Sequence, residues 1–230
     1  MRTNPLRRGN AKTAIGWLSA AVAALLLMGC VTTAPVKPAT APEASKPVGT
    51  KTAGVKRLDN GRQGFVITEV GQMSDAVRRD FDNAVSLLNQ KDYEKAIALL
   101  KQIVEQSPGV SAPHVNLGIA YQRTGKQDMA EAQFKTALSL VPGHPVVCNQ
   151  YGLLCRKSGR FEQAQTLYKQ ALTAFPEYYP VHRNLGILCD LYLNDLPCAL
   201  EHYEVYSRRA PEDQQVKLWI ADLRARLGKK

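Results

Sequence analysis

Four histidines and five cysteines are the side chains whose chemistry could make this chain a catalyst or a metal-binding protein. None of the histidines stands in an HExxH pair or in another recognised metal-ligand spacing. His114 and His182 are 68 residues apart, twice the internal period described below, and a repeated position predicts packing rather than catalysis. His144 and His202 belong to no recognised motif either. GxSxG elbows, glycine-rich phosphate loops and paired carboxylates are also missing, so the sequence predicts no enzyme, cofactor or metal site.

The cysteines form two pairs and one single residue. Cys148 and Cys155 are seven residues apart in one predicted helix, about 10.5 Å along its axis, so a disulfide would require unwinding. Cys189 and Cys198 lie on opposite arms of one predicted helical hairpin, and their oxidation would staple its turn. The alternative for this second pair is two buried thiols that act as small apolar side chains. No CxxC pair is present, and the sequence therefore predicts no zinc site.

The single cysteine, Cys30, ends a segment with the composition of an export signal. Residues 1–12 carry four basic side chains and no acid, whereas residues 13–29 carry no charge and are mostly apolar. A basic n-region followed by an apolar h-region is typical of a secretory signal. An uncleaved transmembrane anchor is the alternative, but the run is shorter than the roughly 20 apolar residues that a spanning helix needs.

The tetrapeptide Leu-Met-Gly-Cys at 27–30 resembles the lipobox of bacterial lipoproteins, in which the cysteine is lipidated and becomes the first mature residue. The resemblance implies removal of residues 1–29 and lipidation of Cys30. In that family an Asp after the cysteine signals retention at the inner membrane. Val31 stands there instead, which implies the outer membrane and a periplasm-facing, oxidising location.

Residues 30–72 are predicted to form a disordered, lipidated tether. Four prolines lie among Ala, Thr, Lys and Val between residues 31 and 50. Such a stretch buries too little apolar surface to offset its ordering entropy, and its prolines make it extended and semi-stiff. Residues 64–70 (GFVITEV) have a strand-like composition. No partner strand is evident, so we expect this segment to dock in extended form on the following domain.

The remainder of the chain repeats itself. Four prolines, spaced 34, 34 and 35 residues apart, close four successive units: Pro108, Pro142, Pro176 and Pro211. Eight residues before each proline stands a bulky apolar residue: Leu100, Phe134, Tyr168 and Tyr203. Four residues earlier stands an alanine: Ala96, Ala130, Ala164 and Ala199. A small residue lies 12 or, in the fourth unit, 13 residues before that alanine: Ala84, Gly118, Gly152 and Gly186. Small residues let two helices cross closely, and proline cannot continue a helix interior.

This pattern resembles the tetratricopeptide repeat, whose period is 34 residues. The resemblance implies an all-α fold, an α-solenoid of four helical hairpins in residues 73–211. The approximate limits of the four units are 77–110, 111–144, 145–178 and 179–213. Residues 212–230 have acids in the first turn and arginines in the last turn of an amphipathic pattern. This predicts a capping helix and tail that cover the last repeat.

The family presents a concave groove lined by the first helix of each unit. The resemblance assigns eight positions to this groove: Phe81, Val85, Val115, Ile119, Asn149, Leu153, Arg183 and Ile187. Three basic residues stand at the ends of those helices: Arg123, Arg156 and Lys157. An apolar floor with a basic edge suits a peptide with apolar anchors and some acidic character. The alternative is that several of these apolar residues simply pack between helices.

The formal net charge of +10 invites a nucleic-acid interpretation, because clustered Lys and Arg neutralise phosphates. Four of the basic residues lie in the predicted signal, and residues 73–230 hold twenty basic and seventeen acidic residues. The repeat domain is therefore nearly balanced. The export signal and the lack of base-stacking aromatic residues in the groove further disfavour a nucleic-acid binder.

The sequence thus predicts a non-catalytic outer-membrane scaffold that binds an envelope protein or peptide. The resemblance implies one of three envelope machines: pilus or secretion assembly, TonB-type energy transduction, or recruitment of peptidoglycan enzymes. One alternative is an envelope enzyme or enzyme regulator whose site has no recognisable motif. Another is a basic binder of nucleic acid or anionic surfaces. The family motif encodes the fold and not the partner, and the oligomeric state stays open.

Overall fold

The computed structural model describes residues 52–58 and 64–228 of the 230-residue chain. The predicted signal peptide, Cys30 and most of the tether lie outside the described residues. Two strands come first in the described ranges: β1 (Gly54–Arg57) and β2 (Phe65–Thr68). Nine helices follow there: α1 (Asp75–Asn89), α2 (Tyr93–Gln106), α3 (Ser111–Arg123), α4 (Gln127–Leu140), α5 (Pro145–Lys157), α6 (Phe161–Ala174), α7 (Tyr179–Leu191), α8 (Leu196–Ser207) and α9 (Gln214–Arg226).

Capping residues and turn glycines fix the helix ends. Side-chain oxygens cap four helix N-termini by accepting a backbone N–H in the first turn: Ser74, Asp92, Asp195 and Asp213. Gly125 and Gly159 follow α3 and α5 with φ angles of 76° and 74°, a conformation that glycine adopts without strain. Lys91 occupies this left-handed conformation in the first hairpin, with φ 63°.

Close helix crossing explains the small residue of each unit. A Cβ atom built on Gly118 would lie 2.6 Å from the Phe134 ring, far inside contact distance. On Gly186 the added Cβ would lie 2.5 Å from the Tyr203 ring. The bulky residues of all four units are at most 1% exposed. The second, third and fourth hairpins are therefore closed by a large side chain lying on a small one, as the sequence predicts, and the corresponding Ala84 and Leu100 of the first hairpin are fully buried.

The four hairpins α1–α2, α3–α4, α5–α6 and α7–α8 stack in chain order. Each first helix contacts the next first helix, whereas no second helix makes a comparable contact with the next second helix. Because the first helices approach one another more closely, the stack is concave on their side. Helix α9 packs on α8 and buries Val216 and Leu223 completely. The prediction of a four-hairpin α-solenoid with a C-terminal capping helix is confirmed.

The expectation that residues 64–70 lack a partner strand is wrong. β2 pairs antiparallel with β1, and Val55 lies opposite Ile67. β1 is only four residues long and reads Gly-Val-Lys-Arg, which has no strand-like alternation that sequence analysis could detect. The described parts of residues 30–72 therefore depart from the predicted disordered tether.

We call β1, β2 and the three residues that follow β2 the strap, because together they cross the loops between repeats. The ring of Phe65 lies 5.2 Å from that of Phe175 and 5.8 Å from that of Tyr178, in the loop between α6 and α7. Arg57 forms an ion pair with Glu177, and its guanidinium lies 5.8 Å from the centroid of the Phe175 ring. One end of the strap is thus fixed by aromatic packing beside the fourth unit.

The other end of the strap contacts the loop between α2 and α3. The Glu69 carboxylate accepts hydrogen bonds from the Ser111 backbone N–H, at 2.9 Å, and from the Ser111 hydroxyl. The positive end of the α3 dipole also stabilises a carboxylate at this place. Gly71 lies directly against Gly109 of the same loop. The segment 64–70 therefore docks on the repeats, but as part of a hairpin rather than as a lone extended chain.

A methyl group at Gly71 should release the strap. The added Cβ would lie 2.2 Å from the Gly109 carbonyl oxygen, whereas a Cβ on Gly109 would meet only the Gly71 Cα, at 3.7 Å. We expect Gly71→Ala to accelerate chymotryptic cleavage after Phe65 several-fold, measured by mass spectrometry of timed digests. Gly109→Ala is the matched control and should cleave at the wild-type rate. Equal rates in the two variants would contradict the docking.

Candidate partner-binding groove

The eight residues predicted for the groove all lie on the first helices α1, α3, α5 and α7. Five of them are half-buried: Phe81, Val85, Ile119, Leu153 and Arg183. The other three are buried, with exposures of 5–8%: Val115, Asn149 and Ile187. These three pack between helices, so they support the wall of the groove, and the half-buried residues are the ones that a partner can touch.

Amide side chains join neighbouring first helices. The Asn184 Nδ2 on α7 donates a hydrogen bond to the Asn149 Oδ1 on α5, at 2.8 Å. The Gln122 Nε2 on α3 donates to the Gln150 backbone oxygen on α5, at 3.4 Å. These bonds fix the spacing of three first helices, so a ligand meets a surface that is already organised.

The basic edge of the groove lies where the first helices end. Arg123 and Lys157 are exposed, and neither forms an ion pair with another residue in the described part of the chain. Arg156 is half-buried, and its guanidinium lies 5.7 Å from the centroid of the Tyr192 ring. Arg183 differs, because it is already engaged by Asp213, with 3.7 Å between Nε and Oδ2. The available positive charge is therefore concentrated at the turns that end α3 and α5.

An exposed apolar patch beside this edge was missed by the sequence analysis. We call Phe161, Leu191 and Tyr192 the turn patch. Leu191 and Tyr192 are 67% and 44% exposed, and the Tyr192 ring centroid lies 4.6 Å from that of Phe161. The run of large apolar residues from Leu191 to Leu193, where the other units have a polar turn, is the signal that could have revealed it. Exposed aromatic and aliphatic side chains beside cations are typical of interaction sites.

A disulfide holds the turn that carries this patch. Cys189 and Cys198 are bonded, with their Cα atoms 5.9 Å apart. The Asp195 backbone N–H donates to the Cys189 backbone oxygen at 2.9 Å, and the Asp195 carboxylate accepts from the Cys198 N–H at 3.1 Å. One disulfide and two hydrogen bonds thus hold the irregular turn of the fourth unit, which limits the freedom of Leu191 and Tyr192.

Glu131 on α4 ties the second unit to the third. It accepts a hydrogen bond from the Tyr151 hydroxyl at 2.8 Å, and its oxygens lie 2.7 Å from Arg160 and 2.8 Å from Lys135. The Arg160 hydrogen bond, aided by those of Lys135 and Tyr151, lowers the pKa of Glu131 to about 2. The ionised carboxylate therefore contributes to the stacking of two units.

Neutralising Glu131 should destabilise the stack in a pH-dependent way. The folded-state pKa lies below the ordinary value of 4.5, so the contribution is complete above pH 4.5 and is lost as the pH falls towards 2. We expect Glu131→Gln to lower the free energy of unfolding by about 1–2 kcal/mol at pH 7. In denaturant titrations at pH 7 and pH 3 this difference should shrink at the lower pH. Glu105→Gln on the exposed face of α2 is the control and should show no difference.

Comparison with known proteins agrees with this geometry. Family models described as tetratricopeptide repeat match residues 87–147 and 146–178. The chain contains tetratricopeptide repeats. Proteins built from such repeats are generally non-catalytic interaction scaffolds that bind protein partners.

Solved structures of similar proteins share the tetratricopeptide solenoid. Pseudomonas aeruginosa pilF is 25% identical over 66% of this chain and 69% of its own, with a TM-score of 0.61. MamA from Desulfovibrio magneticus is 20% identical over 68% of this chain and 88% of its own, with a TM-score of 0.59. A thermophilic TPR protein from Thermus thermophilus is 22% identical over 64% of this chain and 80% of its own, with a TM-score of 0.55. The last two likenesses show the fold alone. No curated protein matches the chain.

Three of the four histidines in these tetratricopeptide repeats, His114, His182 and His202, have packing roles. His114 and His182 each place Nε2 near the backbone oxygen of the proline six residues earlier, at 3.2 Å from Pro108 and 2.8 Å from Pro176. The Nδ1 atoms of His182 and His202 are 3.0 Å apart. Burial, and then the charge of His182, lowers the pKa of His202 and favours its neutral form. The repeated position of His114 and His182 thus has a structural explanation.

The two remaining thiols of the repeats are buried and unpaired. Burial raises the pKa of Cys148 to about 12 and that of Cys155 to about 11. The thiolate form, which is the nucleophile and the metal ligand, is therefore scarce at neutral pH. Within the described ranges no group of three or more His, Cys, Asp or Glu side chains is placed to hold a metal ion.

Proposed function

We propose that this protein is a non-catalytic scaffold that binds an envelope protein or peptide in its tetratricopeptide groove. The observation that carries the proposal is the turn patch beside the basic edge of the groove. Leu191 and Tyr192 offer apolar surface, and Arg123 and Lys157 offer positive charge that no other described residue neutralises. A partner segment with one or two large apolar side chains and nearby acids satisfies both features.

The groove is suited to holding such a segment without large rearrangement. The disulfide fixes the turn patch, and the amide bonds between α3, α5 and α7 fix the floor. A preorganised surface loses less conformational entropy on binding, so a modest contact area gives useful affinity. The half-buried residues Ile119 and Leu153 continue the apolar surface along the first helices.

The same proposal includes an anchor at the periplasmic face of the outer membrane. It is supported by the basic n-region, the apolar residues 13–29, the lipobox-like cysteine at position 30 and the following Val31. Among the residues that the structure describes, no helix is both long and apolar enough to cross a membrane. The partner then belongs to an envelope machine for pilus or secretion assembly, TonB-type energy transduction or recruitment of peptidoglycan enzymes.

Crosslinking in envelopes tests the groove. Full-length protein and variants are crosslinked in cells, purified, and compared for the partner bands that they recover. We expect Leu191→Asp to reduce recovery of the partner at least tenfold, because a charge replaces an exposed apolar contact. Met129→Asp is the matched control, since Met129 is 46% exposed on the second helix α4. Equal recovery by both variants would overturn the proposed site.

Fractionation tests the anchor separately. Cys30→Ser removes the thiol whose sulfur forms the thioether to the lipid, so the protein should no longer float with outer-membrane vesicles in a density gradient. Cys155→Ser, at a buried thiol within the repeats, is the control and should leave flotation unchanged. Flotation of the Cys30→Ser variant with the outer membrane would refute the lipid anchor.

A further inference from the structure

Helix α9 repeats the packing of a first helix. Val216 and Leu223 are fully buried, and they stand 35 residues after Val181 and Leu188, which are fully buried in α7. Helix α9 packs on α8 as α7 packs on α6. The capping helix is therefore in register as the first half of a fifth repeat.

The face that a first helix turns to its second helix is known from α7. Three of the α7 residues that contact α8 define this face: His182 faces His202, Gly186 faces Tyr203, and Cys189 is bonded to Cys198. Thirty-five residues later the same three positions in α9 are Lys217, Ala221 and Arg224. All three are exposed, and no described helix covers them. This face of α9 is thus the part of a fifth repeat that lacks its second helix among the described residues.

The turn after α9 has the geometry that precedes a second helix. Gly228 has φ 66°, close to the φ angles of Gly125 and Gly159 in the turns of the second and third hairpins. It stands 69 residues after Gly159, which is two unit lengths when the longer fourth unit is included. The backbone at this end of α9 therefore continues the repeat pattern.

A cleft of about 470 Å³ lies between α8 and α9, beside the face of α9 that the second helix of a fifth repeat would cover. Ile220 and Ala221 give it apolar surface, and Arg208, Lys217 and Arg224 give it positive charge. Its one acid, Glu204, pairs with Arg224 at 2.7 Å. Two positive charges are thus left over, and they favour an occupant with acidic side chains.

Ala221, the small residue that lines the cleft, limits the size of the side chain that an occupant can place over it. Glycine at this position is covered by an aromatic ring, as Gly186 is by Tyr203. The first unit has Ala84 instead, and its bulky residue is the smaller Leu100; both are fully buried. Ala221 matches Ala84, so a leucine fits over it and a large aromatic ring does not.

We propose that the cleft between α8 and α9 binds an acidic amphipathic helix of a partner protein, which completes a fifth repeat. The helix places a leucine over Ala221 and acids towards Lys217 and Arg208. This inference goes beyond the proposed function, because it concerns the end of the solenoid and not the groove with its turn patch.

The probe is a fluorescein-labelled peptide with the sequence of residues 92–106, the second helix of the alanine-bearing first unit. An acidic version carries Lys95→Glu and Lys101→Glu, and a basic version carries Glu94→Lys and Glu105→Lys. Fluorescence anisotropy with the full-length chain in non-ionic detergent measures both affinities. We expect the acidic probe to bind at least tenfold more tightly than the basic one. Equal affinities, or no binding of the acidic probe, would overturn the proposal.

Substitutions in α9 test whether the probe binds in the cleft. We expect Ala221→Leu to fill the cleft and weaken the acidic probe at least tenfold. Ala225→Leu adds the same volume on the same helix outside the cleft and should leave the affinity unchanged. Lys217→Glu gives a second measurement that does not depend on packing, and it should favour the basic probe over the acidic one.

Three results would contradict the assignment. The first is an equal effect of Ala221→Leu and Ala225→Leu, and the second is an unchanged probe preference in Lys217→Glu. The third is a concentration-dependent dimer that Ala221→Leu abolishes, because the occupant would then be a second copy of the chain. Leu191→Asp should not affect probe binding, so failure of the groove and failure of the cleft are distinguishable.

Discussion

Replacing Cys189 and Cys198 together by serine is expected to lower the free energy of unfolding by about 2–3 kcal/mol. The disulfide closes a loop with a sequence separation of nine, and the chain-entropy model gives an effect of this size for such a loop. The melting temperature should fall by about 5–10 °C. The turn patch should also lose its fixed position, so recovery of the partner in the crosslinking experiment should decrease.

A reductant provides the internal control for this prediction. Wild-type protein in dithiothreitol should melt at the temperature of the double-serine variant, and the variant itself should not respond to the reductant. Cys148 and Cys155 contribute nothing to this difference, because they are already reduced. If the oxidised wild type has the same melting temperature as the double-serine variant, the bridge does not stabilise the fourth hairpin.

Truncating Tyr168 is expected to have the largest effect on the repeat core. This side chain of α6 is fully buried, and its ring lies so close to Gly152 that an added Cβ there would be 2.5 Å away. We expect Tyr168→Ala to lower the free energy of unfolding by about 3–5 kcal/mol, through lost apolar burial and a cavity in the third hairpin. Circular dichroism during urea titration measures this difference.

Tyr168→Phe separates the ring from its hydroxyl. Burial raises the pKa of Tyr168 to about 12, and its hydroxyl oxygen forms no hydrogen bond of normal geometry with the described residues, although the Arg156 guanidinium lies near it. Removing an unsatisfied buried polar group costs nothing and can stabilise a protein. We therefore expect Tyr168→Phe to be at least as stable as the wild type. A loss comparable to that of Tyr168→Ala would mean that the hydroxyl, and not the ring, supports the hairpin.

The repeat architecture could be predicted from the sequence because its cause is local and recurs. The small residue, the alanine, the bulky side chain and the proline each come back after one unit length, and each has one packing role. Gly118 under Phe134 and Gly152 under Tyr168 are the same contact made twice. A single sequence that repeats itself therefore carries its own evidence about contacts within a unit.

The strand pairing of the strap and its contact residues on the repeats could not be predicted, because their causes are distant contacts that occur once. Phe65 packs on Phe175, which lies 110 residues later in the chain, and the Gly-Val-Lys-Arg sequence of β1 has no pattern that predicts a strand. The exposure of the groove residues could not be predicted from the sequence either. Val115 and Arg183 occupy equivalent repeat positions, yet Val115 is buried and Arg183 is half-buried, since the neighbouring unit decides the exposure.

The strap also changes how the repeats share their stability. In a simple solenoid each unit interacts only with its neighbours, so an end can fray while the rest stays folded. Here Glu69 is hydrogen-bonded at the start of the second unit, and Phe65 is packed on Phe175 at the end of the third. The second and third units therefore cannot separate widely unless the strap is released from one of them. These two units should consequently melt as one cooperative block, in a single transition rather than a progressive one.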